Sequence, residues 1–191
     1  MKYILASASP RRRELLKMVV PEFEVIVSDV EEKLEKELTP EEQVVKFSQI
    51  KARDVFNKTN GNRIVIGSDT IVEKDGKIYG KPKDKEDAKN MIKELTANDR
   101  IHRVMTAVCV IKEENGIVKE ESICDIAKVY LKYMTDEEIE KWIDTGKAMD
   151  KAGAYGIQEE FGVFVEKIDG NYTTIVGLPV HRVYDMIKQK L

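Results

Sequence analysis

The segment Ser7-Ala8-Ser9-Pro10-Arg11-Arg12-Arg13-Glu14-Leu15-Leu16 gathers hydroxyls and three arginines at one helix start. Ser9 suits the N-cap and Pro10 the first helical position. Cations in a first turn oppose the positive end of the helix dipole, each at a cost of about 0.3–1 kcal/mol unless an anion sits there. Helix N–H groups, hydroxyls and guanidinia together form a cradle for phosphate. The competing reading is a solvated basic turn. No GxxxxGKS/T motif exists in the chain, so this is not a P-loop.

A second anomaly is Asp69 in the run Ile64-Val65-Ile66-Gly67-Ser68-Asp69-Thr70-Ile71-Val72. A carboxylate there is costly to bury unless it is paired, metal-bound or hydrogen-bonded. Gly67 marks a bend or a close backbone approach just before it. The plainer alternative is a turn residue between two strands. Perturbed acids cluster at functional sites, which makes Asp69 the leading catalytic candidate. Two lysines stand out from a generally solvated set. Lys51 borders the apolar stripe of its helix, and Lys81 is held between Gly80 and Pro82, which suits a point charge on phosphate.

Glu31 and Glu32 close the strand that begins at Phe23, where a carboxylate is a natural Mg²⁺ ligand. The same residues also open a charged, exposed stretch running to Glu37. The segment Asp150-Lys151-Ala152-Gly153-Ala154-Tyr155-Gly156-Ile157-Gln158 reads as a long loop. Its amide can pair with a base edge and its aromatic can stack on or pack beside a base. It also reads as a structural Gly-rich connection.

Counting argues against a zinc site and against a disulfide framework. Two Cys and two His occur, none in a CxxC, HxxxH or HExxH spacing. Cys109 and Cys124 lie in apolar, strand-like runs and are expected in the core. A metal, if used, is a hard cation held by carboxylates.

The elements that must position these groups follow from periodicity and caps. Lys2 to Ala6 is expected as a strand, followed by a helix from Pro10 to about Val19, and Phe23 to Ser28 alternates as a strand. Thr39-Pro40-Glu41-Glu42 opens a helix that ends near Asn57 and turns Val44, Val45, Phe47, Ile50 and Val55 inward. Arg63 to Val72 is a buried strand or strand pair, with an Asp75-Gly76 turn before Lys77 to Tyr79. Asp84 caps a helix carrying Ala88, Met91, Ile92 and Leu95. Arg103 to Lys112 and Ile117 to Lys132 are long strands joined at Asn115-Gly116. Thr135 opens a helix that Gly146 closes. Phe161 to Ile168 and Tyr172 to Val176 are expected as a hairpin around Asp169-Gly170, and Gly177-Leu178-Pro179 opens the last helix. The class is α/β with a mixed sheet.

The chain has 191 residues, 42% hydrophobic and 35% charged, which is too apolar for disorder and long enough for a real core. No linker or repeat interrupts it, so one continuous domain over 1–191 is expected. Lys+Arg 32 against Asp+Glu 35 leaves a net charge of -3, which argues against nucleic-acid binding through a basic face. No apolar run approaches the ~20 residues that cross a bilayer, and the N-terminus lacks a signal-peptide pattern. A soluble cytoplasmic protein, with neither nucleic acid nor membrane as partner, is expected.

Taken together, Ser7-Ala8-Ser9-Pro10-Arg11-Arg12 with Glu14-Leu15-Leu16, Lys51-Ala52, Gly67-Ser68-Asp69-Thr70, Gly80-Lys81-Pro82, Asp150 to Gln158 and Gly177-Leu178-Pro179 resemble the Maf family of nucleoside triphosphate pyrophosphatases. The set stands in the family's order over nearly the whole chain. The Asp150 to Gln158 segment resembles the branch acting on dTTP and UTP, not the one acting on 7-methyl-GTP.

The resemblance implies an elongated mixed sheet flanked by helices, two lobes with a nucleotide cleft between them, and usually a homodimer. It implies hydrolysis of dTTP, UTP and modified pyrimidine nucleotides to monophosphate and pyrophosphate, a house-cleaning of the nucleotide pool. Asp69, Lys51 and Lys81 are then the catalytic residues. Ser7, Arg11, Arg12, Thr70 and Gln158 bind substrate, and Glu32 with Asp69 hold Mg²⁺ or Mn²⁺. The alternatives are a nucleotide-binding regulator linked to septum formation without turnover, and a nucleotidyltransferase, for which no acceptor site is visible.

Overall fold

The computed structural model describes residues 1–188; positions 189–191 of the expected domain lie outside them. In chain order the elements are β1 (Lys2–Leu5), α1 (Pro10–Lys17), β2 (Glu24–Val25), α2 (Pro40–Asn57), β3 (Arg63–Lys74), β4 (Lys77–Tyr79) and α3 (Lys85–Leu95). Then follow β5 (Ile101–Glu114), β6 (Ile117–Leu131), α4 (Asp136–Asp144), two 3₁₀ turns (Ala152–Ala154 and Glu160–Phe164), β7 (Val165–Asp169), α5 (Tyr172–Val176) and α6 (Val180–Lys188). The strands form one seven-stranded sheet in the order β2-β1-β3-β5-β6-β7, with β4 also on β3. β1 pairs parallel with β2 and β3, whereas β4 on β3 and β7 on β6 are antiparallel. The class is α/β with a mixed sheet flanked by helices.

By its contacts the chain forms two compact units. The first comprises Met1–Asp69, Thr106–Asp125 and the described chain from Gly177 on; the second comprises Thr70–Met105 and Ile126–Val176. In the first unit Ile4, Val65, Cys109 and Ile111 meet Ala52 and Val55 of α2 in an apolar core. In the second, Ala88, Ile92 and Leu95 of α3 and Ile139, Trp142 and Ile143 of α4 pack with Val104, Val129, Tyr155 and Phe161. Among the described residues, no helix is long and apolar enough to cross a membrane.

Helix starts follow their caps. Thr39 and Glu42 form a reciprocal capping box, with Thr39 Oγ1 accepting from Glu42 N at 3.2 Å and the Glu42 carboxylate accepting from Thr39 N at 2.9 Å. Thr135 and Glu138 repeat the device at α4, and Gly146 turns the chain away with φ +73°.

Several expectations need correction. α1 stops at Lys17 and not Val19. β2 is only Glu24–Val25, in register with Ile4 and Leu5 of β1. Glu32 therefore sits in an irregular segment and not at a strand end. Tyr172 to Val176 is a short helix and not a strand. The Asn171 carboxamide accepts from Thr173 N at 2.8 Å and caps that turn, overriding the β-branched composition. Residues 160–164 are likewise a 3₁₀ turn, and β7 pairs with β6 instead. Cys109 is fully buried, but Cys124 is only half-buried. Val45 and Ile50 are half-buried on α2, and Gln43, Ser48 and Ala52 occupy buried positions instead.

Candidate active site

β3 runs unbroken through Asp69, so the carboxylate is a strand residue and not a turn residue. It is 7% exposed. Lys51, projecting from α2, donates to Asp69 Oδ1 at 2.6 Å. The same ammonium lies 2.7 Å from Glu32 Oε1. One half-buried cation thus gathers two carboxylates that come from separate parts of the first unit.

This meeting depends on how closely α2 lies on β3. A Cβ at Gly67 would stand 2.8 Å from Ala52 N and nearer still to Ser48 O. Glycine here allows helix backbone to approach strand backbone, which brings Lys51 to Asp69.

The electrostatics follow from burial and charge. Burial pushes the Asp69 carboxyl above its ordinary range; Lys51 and Arg12 oppose that shift, and Glu32 adds to it. Burial also lowers the Arg12 guanidinium from its usual value, against the pull of Asp69 and Glu32.

The first turn of α1 carries no acidic residue. Ser9 caps it, with its side chain accepting from Arg12 N at 3.4 Å. Ser7 Oγ accepts from Ser9 N at 3.3 Å and from Arg12 Nη1 at 3.2 Å. Arg12 Nε donates to the carbonyl of Gly177 at 2.9 Å, and buried Ser68 Oγ donates to the same oxygen at 3.1 Å. Gly177 has φ +119°, a backbone conformation open to glycine. One carbonyl therefore joins the arginine helix, the Asp69 strand and the chain before α6. Arg11 is half-buried and Arg13 exposed.

Ser7, Arg11, Arg12, Glu32, Lys51 and Asp69 all belong to the first unit, whereas Thr70, Lys81 and Gln158 belong to the second. Thr70 is half-buried, directly after Asp69; Lys81 is exposed in the bend after β4. Gly80 O accepts from Gly153 N at 3.0 Å, which ties the Lys81 bend to the Asp150 to Gln158 segment. That segment is not one open loop, because Ala152–Ala154 forms a 3₁₀ turn in which Gly153 takes φ +68°. Gln158 is exposed in the turn Gly156–Glu159.

Tyr155 does not offer a face for a base. It is 5% exposed in the core of the second unit, its hydroxyl 2.6 Å from His102 Nε2 and its ring tilted on Phe161. The sequence did not mark Ser68 or the Gly177 carbonyl as site-forming. A buried serine beside an acid and a glycine before Leu-Pro were the available signals, and each has many ordinary uses.

Among the described residues no three His, Cys, Asp or Glu side chains group to hold a metal ion. Two carboxylates do converge on Lys51, and their hard oxygen donors are of the kind that would suit a Mg²⁺-like ion.

A family model described as Maf-like protein matches residues 2–190. A dTTP/UTP pyrophosphatase of Alkaliphilus oremlandii is 48% identical over 180 residues, 94% of this chain and 91% of that protein. Proteins of the same name from Clostridium novyi (46% over 187 residues, 96% and 95% covered) and Alkaliphilus metalliredigens (44% over 186 residues, 97% and 94% covered) are also similar. The chain belongs to the Maf-like protein family.

Proposed function

We propose that this chain hydrolyses nucleoside triphosphates, dTTP and UTP foremost and modified pyrimidine nucleotides with them, to the monophosphate and pyrophosphate. The observation that carries the reading is the half-buried Lys51 ammonium between Asp69 and Glu32, 2.6 and 2.7 Å from their oxygens. It is supported by the names of full-length relatives more than 40% identical.

Attack of water on the α-phosphorus expels pyrophosphate, so negative charge grows on phosphoryl oxygens, and preorganised cations are the largest contribution. Arg11 and Arg12, with Ser7 and the N–H groups opening α1, hold the triphosphate. Arg12 is well suited to this, because Ser7 and Gly177 fix its guanidinium before substrate arrives. Asp69 takes the proton of the attacking water. Burial makes it a stronger base than an ordinary aspartate, and Lys51 and Arg12 oppose that shift. Lys51 and Lys81 place charge on the phosphates, Thr70 lies against the substrate, and Gln158 presents donor and acceptor to the O4 and N3–H edge of thymine or uracil.

Glu32 and Asp69 would hold a divalent cation, Mg²⁺ or Mn²⁺. When bound, such an ion supplies Lewis-acid neutralisation of the phosphoryl charge. A free nucleotide as substrate supports a cytoplasmic setting, and a homodimer is proposed from the family resemblance.

A panel of nucleoside triphosphates, assayed with and without Mg²⁺ and with product identification, tests the reading. Metal-dependent release of dTMP and UMP with pyrophosphate is expected. Tight dTTP binding without product over hours would replace it with a regulatory role.

A further inference from the structure

Lys151 lies in the segment that carries Gln158, and its side chain is 6% exposed. Its ammonium donates to Lys147 O at 2.6 Å and Asp150 Oδ1 at 2.7 Å, and stands 3.6 Å from Glu159 Oε1. Its stem runs along Gly156, where a Cβ would lie 2.6 Å from Lys151 Cε and 2.8 Å from Cδ. Glu159 N donates to Gly156 O at 3.2 Å, closing a turn with Gln158 inside it. The lysine therefore packs on one end of that turn with its stem and faces the other with its charge.

Stability alone explains such a group poorly. Desolvating an ammonium costs several kcal/mol, and apolar replacements of buried ion pairs are often neutral or stabilising. A buried charge does restrict which conformations satisfy it. Gln158 is exposed, so the backbone beneath it must supply the order that its surroundings do not.

We propose that Lys151 is a positioning residue for base selection, fixing the turn Gly156–Glu159 so that the Gln158 amide meets a pyrimidine edge in one orientation. The proposal rests on the reading of Gln158 given above. Lys151→Met keeps most of the volume and removes the charge. The test measures kcat/KM for dTTP, UTP and CTP with Lys151→Met, Gln158→Ala and the double variant, beside Tm.

The dTTP-to-CTP ratio should fall about tenfold in Lys151→Met, since displacement of a positioned group by ~1 Å can cost on the order of 10²-fold. Tm should stay close to wild type or rise. In the Gln158→Ala background the same change should leave the ratio unmoved. A ratio lowered by Gln158→Ala but unchanged by Lys151→Met overturns the positioning role and leaves the base reading standing. A ratio unchanged in both overturns the base reading and the proposal with it. Equal losses on all three nucleotides with a lower Tm mark Lys151 as structural only and also overturn the proposal. If Lys151→Met does not fold, Glu159→Gln, which removes the carboxylate facing the ammonium from a partly exposed position, is read by the same criteria.

Discussion

Burial pushes the proton affinity of Asp69 upward, and the neighbouring Lys51 and Arg12 oppose that shift. Asp69→Asn keeps the shape and removes both charge and basicity. Loss of a general base costs ~10²–10⁴ in rate, so kcat at saturating Mg²⁺ should fall by that much while Tm and dTTP affinity stay near wild type. Turnover close to wild type would remove Asp69 from the chemistry; simple unfolding would make it structural. Gln158 carries a separate expectation. Gln158→Ala should reduce the kcat/KM preference for dTTP and UTP over CTP and purine nucleotides, because a site built to hydrogen-bond its substrate discriminates by up to ~10⁴. An unchanged preference would show that Gln158 does not read the base. Asp69, Lys51 and Arg12 were legible in the sequence because charge sat where packing or the helix dipole disfavoured it. The Lys51–Asp69 ion pair was not. Its partners are 18 residues apart on a helix and a strand, and only tertiary packing brings them together. Tyr155 misled for the opposite reason: a base-stacking ring and a core ring look the same in a sequence.

The helix and strand that carry this pair are held together at Gly67. In Gly67→Ala the new methyl would press on the backbone of Ser48 and Ala52, atoms that cannot rotate away. Overpacking of this kind costs about 1–3 kcal/mol, and the relief available is a shift of α2 that carries Lys51 from Asp69. Tm should drop and kcat should fall with it, more than for a surface substitution of equal stability cost. A variant with a lowered Tm but full kcat would separate the helix contact from the site. α2, α3 and α4 were legible because caps and apolar spacing agree in each. β2 and the 172–176 segment were not. The extent of β2 depends on pairing with β1 far off in the sequence, and Asn171 supplies a cap that composition alone does not reveal.

Each unit has its own apolar core, and that of the second encloses a titratable group with no role in the proposed chemistry. Burial drives the His102 imidazole down to about 3 from its ordinary 6.5, with Lys74 adding to the shift. Between those values the unfolded chain takes up a proton that the folded chain refuses. The stabilisation is complete above about pH 6.5 and is lost as pH falls toward 3. A Tm profile should show that decline, and His102→Gln should flatten it; an identical profile in the variant would place the acid sensitivity elsewhere. For the molecule as a whole the decisive matter is which bond breaks. Incubating the wild-type protein with dTTP and Mg²⁺ in ¹⁸O-labelled water and analysing the products tests this directly. The geometry around Asp69 predicts dTMP carrying the label together with unlabelled pyrophosphate, as required by attack at the α-phosphorus. Formation of dTDP and labelled orthophosphate would contradict it.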